Sequence, residues 1–230
     1  NRNACLLHDS GNGSGQGGFG GILGDKGLKA ISCIGTGSVS VYNADNLVTP
    51  VMKQIATGVK SRFGFAVTAG DVDDDGRDDV IVGAPADDAS GVVLKDAGSV
   101  SIYSGSTGNL MVRKFGSRVK ANLGVSVAAG DVNGDDHADI IGGAAKDDDA
   151  TVQLVKDAGS VTVWNGDGFA DITTLYGGAA KDYFGKACSA GDINGDGKAD
   201  VIVGASGDDL PAAKPIKDAG TVQLFSGADL

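Results

Sequence analysis

Basic side chains are in short supply. The chain of 230 residues carries 19 Lys and Arg against 30 Asp and Glu, a formal net charge of −11. That balance argues against nucleic acid, whose phosphates need clustered Lys and Arg, and against an anionic membrane surface. Proline is scarce, with 4 residues, and aromatic residues make up only 5%. No apolar run approaches the ~20 residues of a membrane span, so no membrane insertion is expected. Every longer stretch with a helical apolar period is interrupted by glycine, so long helices are not expected either. No charged segment leading into an apolar core opens the chain, as in a mature form or a fragment. Cysteine is limited to Cys5, Cys33 and Cys188. An odd count forbids full internal pairing; Cys5 could bridge to Cys33, or all three could be thiols.

Glycine, by contrast, is abundant at 39 residues without a collagen period, which points to turns and close backbone approaches. Its placement exposes a repeat. Gly70-Asp71-Val72-Asp73 recurs as Gly130-Asp131-Val132-Asn133 and Gly191-Asp192-Ile193-Asn194, at offsets of 60 and 61 residues. Lys95-Asp96-Ala97-Gly98 recurs in step as Lys156-Asp157-Ala158-Gly159 and Lys217-Asp218-Ala219-Gly220. A degenerate copy leads the chain. Phe19-Gly20 matches Phe63-Gly64, Leu123-Gly124 and Phe184-Gly185, and Gly37 to Tyr42 matches Gly98 to Tyr103. Its acidic loop has shrunk to Gly24-Asp25-Lys26-Gly27.

Short apolar or alternating runs within each copy predict strands near 65–69, 80–82, 100–103 and 110–115, with counterparts downstream. Four short strands per ~60 residues read as the blades of a β-propeller. The expected fold is all-β, with four-stranded antiparallel blades forming a single domain over 1–230. Its repeats fall at about 17–58, 59–118, 119–179 and 180–230. The last copy supplies only three strands. The apolar segment Ala4 to His8 could complete it and close a four-bladed ring; otherwise the chain is part of a larger propeller.

The acidic loops carry the clearest chemistry. Calcium takes six to eight oxygen ligands, and alternate residues of a curled loop point inward. The first loop would supply Asp71, Asp73, Asp75, the carbonyl of Arg77, and Asp79. The second would supply Asp131, Asn133, Asp135, the carbonyl of His137, and Asp139. The third would supply Asp192, Asn194, Asp196, the carbonyl of Lys198, and Asp200. Every donor is a hard oxygen, and no Cys or His side chain is placed for zinc. About three Ca2+ ions are expected, which would bring the net charge to about −5. At the sixth position of the loop, where a sharp turn favours glycine, Gly76 and Gly197 fit, but the second loop has Asp136. A weaker second site is expected on that ground. The flanks read as strands and no glutamate stands at position 12, so these are not EF-hands.

These elements resemble the FG-GAP repeats of the integrin alpha-chain N-terminal β-propeller. The Phe-Gly steps are the first element. Gly83-Ala84-Pro85 is the second, decaying to Gly143-Ala144-Ala145 and Gly204-Ala205-Ser206. The resemblance implies calcium on the lower face, between the first and second strands of each blade. It also implies an extracellular, secreted or cell-surface setting, and a protein or glycan ligand on the opposite face. That face would hold roughly 85–97, 145–158 and 205–219, with 116–122 and 177–183. Integrin alpha propellers have seven blades where this sequence has four repeats, which counts against an integrin beta-like partner.

Other signals are weaker. Gly13 to Gly18 fits a dinucleotide-loop pattern but lacks a strand-turn-helix context. The two histidines, His8 and His137, assemble no catalytic set, so no enzyme is expected. A lectin-like propeller and a non-catalytic accessory domain of a secreted enzyme are the alternatives. Asn12-Gly13-Ser14 is a glycosylation sequon. The repeated Lys-Asp-Ala-Gly reads as a turn whose Asp bonds its own backbone. Tyr103, Trp164 and Phe225, at matching positions, read as packing between blades.

Overall fold

The computed structural model describes residues 28–34, 37–43, 46–56, 60–89, 94–148, 155–209 and 216–230. The strand expected at Ala4 to His8, the Phe19-Gly20 step, Cys5 and Asn12 lie outside these residues. The described chain is built from antiparallel sheets in simple meander order. The first sheet holds β1 (Leu28–Ile34), β2 (Ser38–Asn43) and β3 (Asn46–Ile55). The second holds β4 (Ala66–Gly70), β5 (Asp79–Ala84), β6 (Ser99–Tyr103) and β7 (Leu110–Phe115). The third holds β8 (Leu123–Gly130), β9 (Asp139–Ala144), β10 (Ser160–Trp164) and β11 (Asp171–Tyr176). The fourth holds β12 (Phe184–Gly191), β13 (Asp200–Ala205) and β14 (Thr221–Phe225), followed by a short 3-10 turn at Gly227–Asp229. The second and third repeats thus show the four strands expected of each and the last its three, while the first repeat, where four were expected, shows three among the described residues.

Burial follows strand position. β5 and β9 are buried at every residue, because sheets cover both of their faces. That is why they read as continuous apolar runs rather than alternating ones. The outer strands β7 and β11 are only partly buried and carry the polar side chains Arg113, Lys114, Thr173 and Thr174.

Consecutive sheets share hydrophobic cores. Val39 and Val41 meet Phe63, Val67, Val80 and Val82. Val72, Ile81, Val100 and Ile102 meet Leu123, Val127, Ile140 and Trp164. Val132, Ile141, Val161 and Val163 meet Phe184, Val201 and Val203. Each buried aliphatic side chain contributes about 1.5–3 kcal/mol, so these inter-sheet cores dominate the stability. Tyr103 packs edge-on against Phe63, and Phe225 against Phe184, with ring centroids 6.1 and 6.0 Å apart. Trp164 lies in the core between the second and third sheets, in agreement with the packing role expected of it.

The two glycine motifs have one explanation. A Cβ on Gly83 would stand 2.1 Å from the Gly124 carbonyl, and one on Gly143 would stand 2.0 Å from the Gly185 carbonyl. The glycine near the end of the second strand of one repeat therefore touches the Phe/Leu-Gly glycine of the next. Gly124 and Gly185 also have φ of +86° and +82°, which glycine adopts without strain.

Candidate metal centres

Each acidic loop is curled by its own first carboxylate. In the second loop Asp131 accepts backbone N–H bonds from Gly134 at 2.6 Å, Asp135 at 3.1 Å and Asp136 at 3.0 Å. Asp192 does the same for Gly195, Asp196 and Gly197. Asp71 accepts from Asp75 and Gly76. The fifth-position carboxylates then accept from the seventh residue: Asp75 from Arg77, Asp135 from His137, and Asp196 from Lys198. These bonds close each loop into one tight turn. In the first loop Asp71, Asp73 and Asp79 each offer an oxygen, all within 4.8 Å of one another. Asn133 and Asn194 donate their amides to Asp135 and Asp196 at 2.9 and 3.0 Å.

Two loop positions, not one, demand a left-handed backbone. The fourth residue has φ of +54° at Asp74, +82° at Gly134 and +80° at Gly195. The sixth has +84° at Gly76, +69° at Asp136 and +90° at Gly197. The first and second loops therefore carry one strained aspartate each, and the third carries none. The lack of glycine at Asp136 does not set the second loop apart from the first, as the sequence reading had it.

The ninth-position aspartates are hubs. Asp79, Asp139 and Asp200 are at most 1% exposed. One oxygen of each accepts from the loop, at Val72, Val132 or Ile193, and the other accepts from the turn after the third strand, at Gly105, Gly166 or Gly227. Those turn glycines escaped the sequence reading, though Ser104-Gly105, Asn165-Gly166 and Ser226-Gly227 recur with the same period.

Neighbouring loops are tied together. Ala138 N–H donates to the Asp71 carbonyl at 2.8 Å, and Ala199 N–H to the Asp131 carbonyl at 2.6 Å. The His137 ring nitrogen Nδ1 lies 3.1 Å from the Val72 carbonyl. That contact holds the imidazole above its ordinary pKa.

Burial raises the Asp79 carboxyl from 3.8 to about 6, against the opposing bonds from Gly105 and Val72, and the charges of Asp73 and Asp75 push the same way. Burial also raises Asp139. Between pH 3.8 and 6 the folded, metal-free chain holds a proton at Asp79 that the unfolded chain releases. Asp79 should therefore make the metal-free protein less stable as pH rises through this window. Melting in chelator at pH 4, 5, 6 and 7, compared with Asp79→Asn, measures it; the difference between the two proteins should change between pH 4 and 6 and level off above.

The donor set fits a hard divalent cation. Every candidate side chain offers oxygen, and close carboxylates repel until a cation sits between them. The ion pairs seen among the described residues, Arg113–Asp87, Lys114–Asp171 and Arg118–Asp147, lie elsewhere.

A second device recurs in each repeat. Ser99, Ser160 and Thr221 donate hydroxyl bonds of 2.8, 2.9 and 2.6 Å to Asp87, Asp147 and Asp208. The next residues, Asp88, Asp148 and Asp209, each accept a 2.8 Å bond from the N–H of Asp96, Asp157 and Asp218. The Lys-Asp-Ala-Gly segment is thus a turn, as expected. Its aspartate, however, takes a left-handed φ and is held by another residue's carboxylate, not its own.

Internal repeats, meander sheets and the paired glycine motifs define a repeat protein. The chain belongs to the FG-GAP repeat family, which matches residues 63–103, 123–164 and 184–225, together more than half of its length. Its curated relatives include integrin alpha-V of Gallus gallus, 33% identical over 150 residues and 63% of this chain. Integrin alpha-5 of Xenopus laevis is 30% identical over the same share, and integrin alpha-2 of Bos taurus is 30% identical over 75% of the chain. The chain spans only 14% to 16% of those relatives' length. Among solved structures, a rhamnogalacturonan lyase of Bacillus licheniformis aligns over 80% of this chain and 42% of its own, at 16% identity. The TM-score of that alignment is 0.41. No helix among the described residues is long and apolar enough to cross a membrane.

Proposed function

We propose that the chain is a calcium-binding, extracellular β-propeller module for protein interaction or cell adhesion, in which calcium is structural. The carrying observation is the common geometry of the three acidic loops, in register with a repeat similar to that of integrin alpha chains. The ligands would be Asp71, Asp73, Asp75, Arg77 and Asp79, then Asp131, Asn133, Asp135, His137 and Asp139. The third set would be Asp192, Asn194, Asp196, Lys198 and Asp200, for about three ions in all. Residues 1–230 would form one domain, with consecutive sheets as blades and the strand at Ala4 to His8 adding to the free edge of β14. With metal bound, each loop would lock the hairpin between a blade's first two strands. The calcium would do no chemistry, and a protein ligand would meet the face away from the loops.

A carbohydrate platform finds less support, because Tyr103 and Trp164 are each 5% exposed and packed in cores. Thermal melting with and without chelator tests the reading. Removing calcium should lower the melting temperature by roughly 10 °C or more, since each filled site adds its own linkage free energy. Calorimetric titration should return about three ions. An unchanged melt in chelator would overturn the structural role.

A further inference from the structure

Each acidic loop is built against the one before it. Ala138, the eighth residue of the second loop, donates its N–H to the Asp71 carbonyl at 2.8 Å. Ala199, the eighth residue of the third, donates to the Asp131 carbonyl at 2.6 Å. The acceptors belong to the first candidate ligand residue of the preceding loop. The donors stand immediately before the buried hubs Asp139 and Asp200. One hydrogen bond thus joins the end of each later loop to the start of its neighbour.

Packing leaves these joints no slack. A Cβ on Gly70 would stand 3.0 Å from the Ala138 methyl, and one on Gly130 would stand 2.9 Å from the Ala199 methyl. The alanine therefore rests on the residue that precedes the first aspartate. The turn that serves the hub's second oxygen closes the other side. A Cβ on Gly166 would meet the Val72 carbonyl at 2.9 Å, and one on Gly227 the Val132 carbonyl at 2.6 Å.

The seventh side chain reaches the same way. His137 Nδ1 lies 3.1 Å from the Val72 carbonyl of the first loop. The Lys198 stem comes within 3.1 Å of where Gly134 of the second loop would carry a Cβ. Backbone, turn and side chain make the same connection at both joints.

Repulsion within a loop works against this packing. Oxygens of Asp71, Asp73 and Asp79 lie within 4.8 Å of one another, and like charges that close favour opening the curl. A cation that relieves the repulsion fixes the curl, and with it the backbone at the joint. The neighbouring loop then meets a fixed hydrogen-bond partner and loses less conformational freedom when it orders in turn.

We propose that the three loops form one coupled array, in which filling one loop with a divalent cation raises the affinity of the loop beside it. This rests on the calcium reading and goes beyond it, since independent sites would serve a structural role equally well. The coupling is reciprocal. A single net hydrogen bond at each joint sets its size at roughly 3- to 10-fold in affinity. The second loop, joined to both others, gains most. Direct electrostatics has the opposite sign, because a dication in one loop repels a dication in the next. The direction of the effect therefore identifies its cause.

Site-resolved calcium titration of the 230-residue chain by NMR tests this. The N–H groups of Gly76, Asp136 and Gly197, each bonded to the first aspartate of its own loop, report the three loops separately. Asp196→Ala empties the third loop through an exposed side chain. It should weaken the second loop roughly 3- to 10-fold and the first by about twofold at most. Asp75→Ala, at the matching position of the first loop, should weaken the second as much and the third less. Unchanged or raised affinity of the second loop in either variant overturns the proposal, as does an equal fall in near and far loops. If the wild type takes up no ion, the calcium reading fails, and amide exchange in chelator decides the coupling by itself. Asp71→Ala and Asp131→Ala remove the bonds that curl the first and second loops. They should speed exchange at Ala138 and Ala199 respectively, each in the next loop. Unchanged exchange at either alanine overturns the coupling.

Discussion

Asp139→Ala is expected to remove about 3–5 kcal/mol of stability, with or without calcium. The carboxylate is fully buried and accepts N–H bonds from Val132 at 2.8 Å, Asn133 at 3.2 Å and Gly166 at 3.0 Å. Alanine leaves these donors without a partner, and each unsatisfied buried donor costs about 1–3 kcal/mol. Relief of the buried charge offsets part of that loss, since burial already raises the Asp139 pKa. The remainder is a large share of the 5–15 kcal/mol typical of a folded domain. Denaturant titration in chelator measures it directly. Asp135→Ala is the control. Asp135 is exposed, and its carboxylate accepts from Asn133 and His137 of the loop and from the Asn165 side chain at the surface. Its loss should lower stability in calcium yet leave the chelated protein close to the chelated wild type. Equal losses for both variants in chelator would mean that Asp139 is no more than a ligand position.

Much of this site was legible in the sequence. Two blocks keeping step across three copies place the strands and acidic loops, and the structure puts strands where the apolar runs stood. Position nine was legible as a donor but not as a hub, because its second partner lies 26 or 27 residues away in another turn. The need for positive φ at position four was hidden for a different reason. Asp74 stands there in the first loop and Gly134 in the second, so no single residue type marks the position. The Asp87-Asp88 pair recurs as Asp147-Asp148 and Asp208-Asp209, a visible period whose purpose appears only when the serine and threonine of the third strand come into place. Contacts between repeats were the least legible. A motif shows that a glycine recurs; it does not show which backbone comes within reach.

That last gap yields the second large effect, at Gly143. A Cβ added there would lie 2.0 Å from the Gly185 carbonyl oxygen and 2.3 Å from Ser126 Oγ. Ser126 Oγ itself donates to the Gly185 carbonyl at 2.7 Å, so the serine cannot swing away without leaving a buried acceptor unpaired. Gly185 cannot retreat either. It is held at φ +82° beside Phe184, whose N–H is bonded to Ala158 at 2.9 Å. The third and fourth sheets would have to separate, opening the core that holds Val161, Val163, Phe184, Val201 and Val203. Overpacking of this kind costs at least 1–3 kcal/mol, and more where backbone must move. Gly143→Ala is therefore expected to lose about 3 kcal/mol or more. The damage should concentrate at one interface, because each repeat is stabilised mainly by its neighbours. Hydrogen exchange is the sensitive readout. Amides of β12 and β13 should lose protection first, while those of β5 and β6 keep theirs. A uniform loss across all the sheets would show that the repeats unfold as a single cooperative unit and that the interface is not separable.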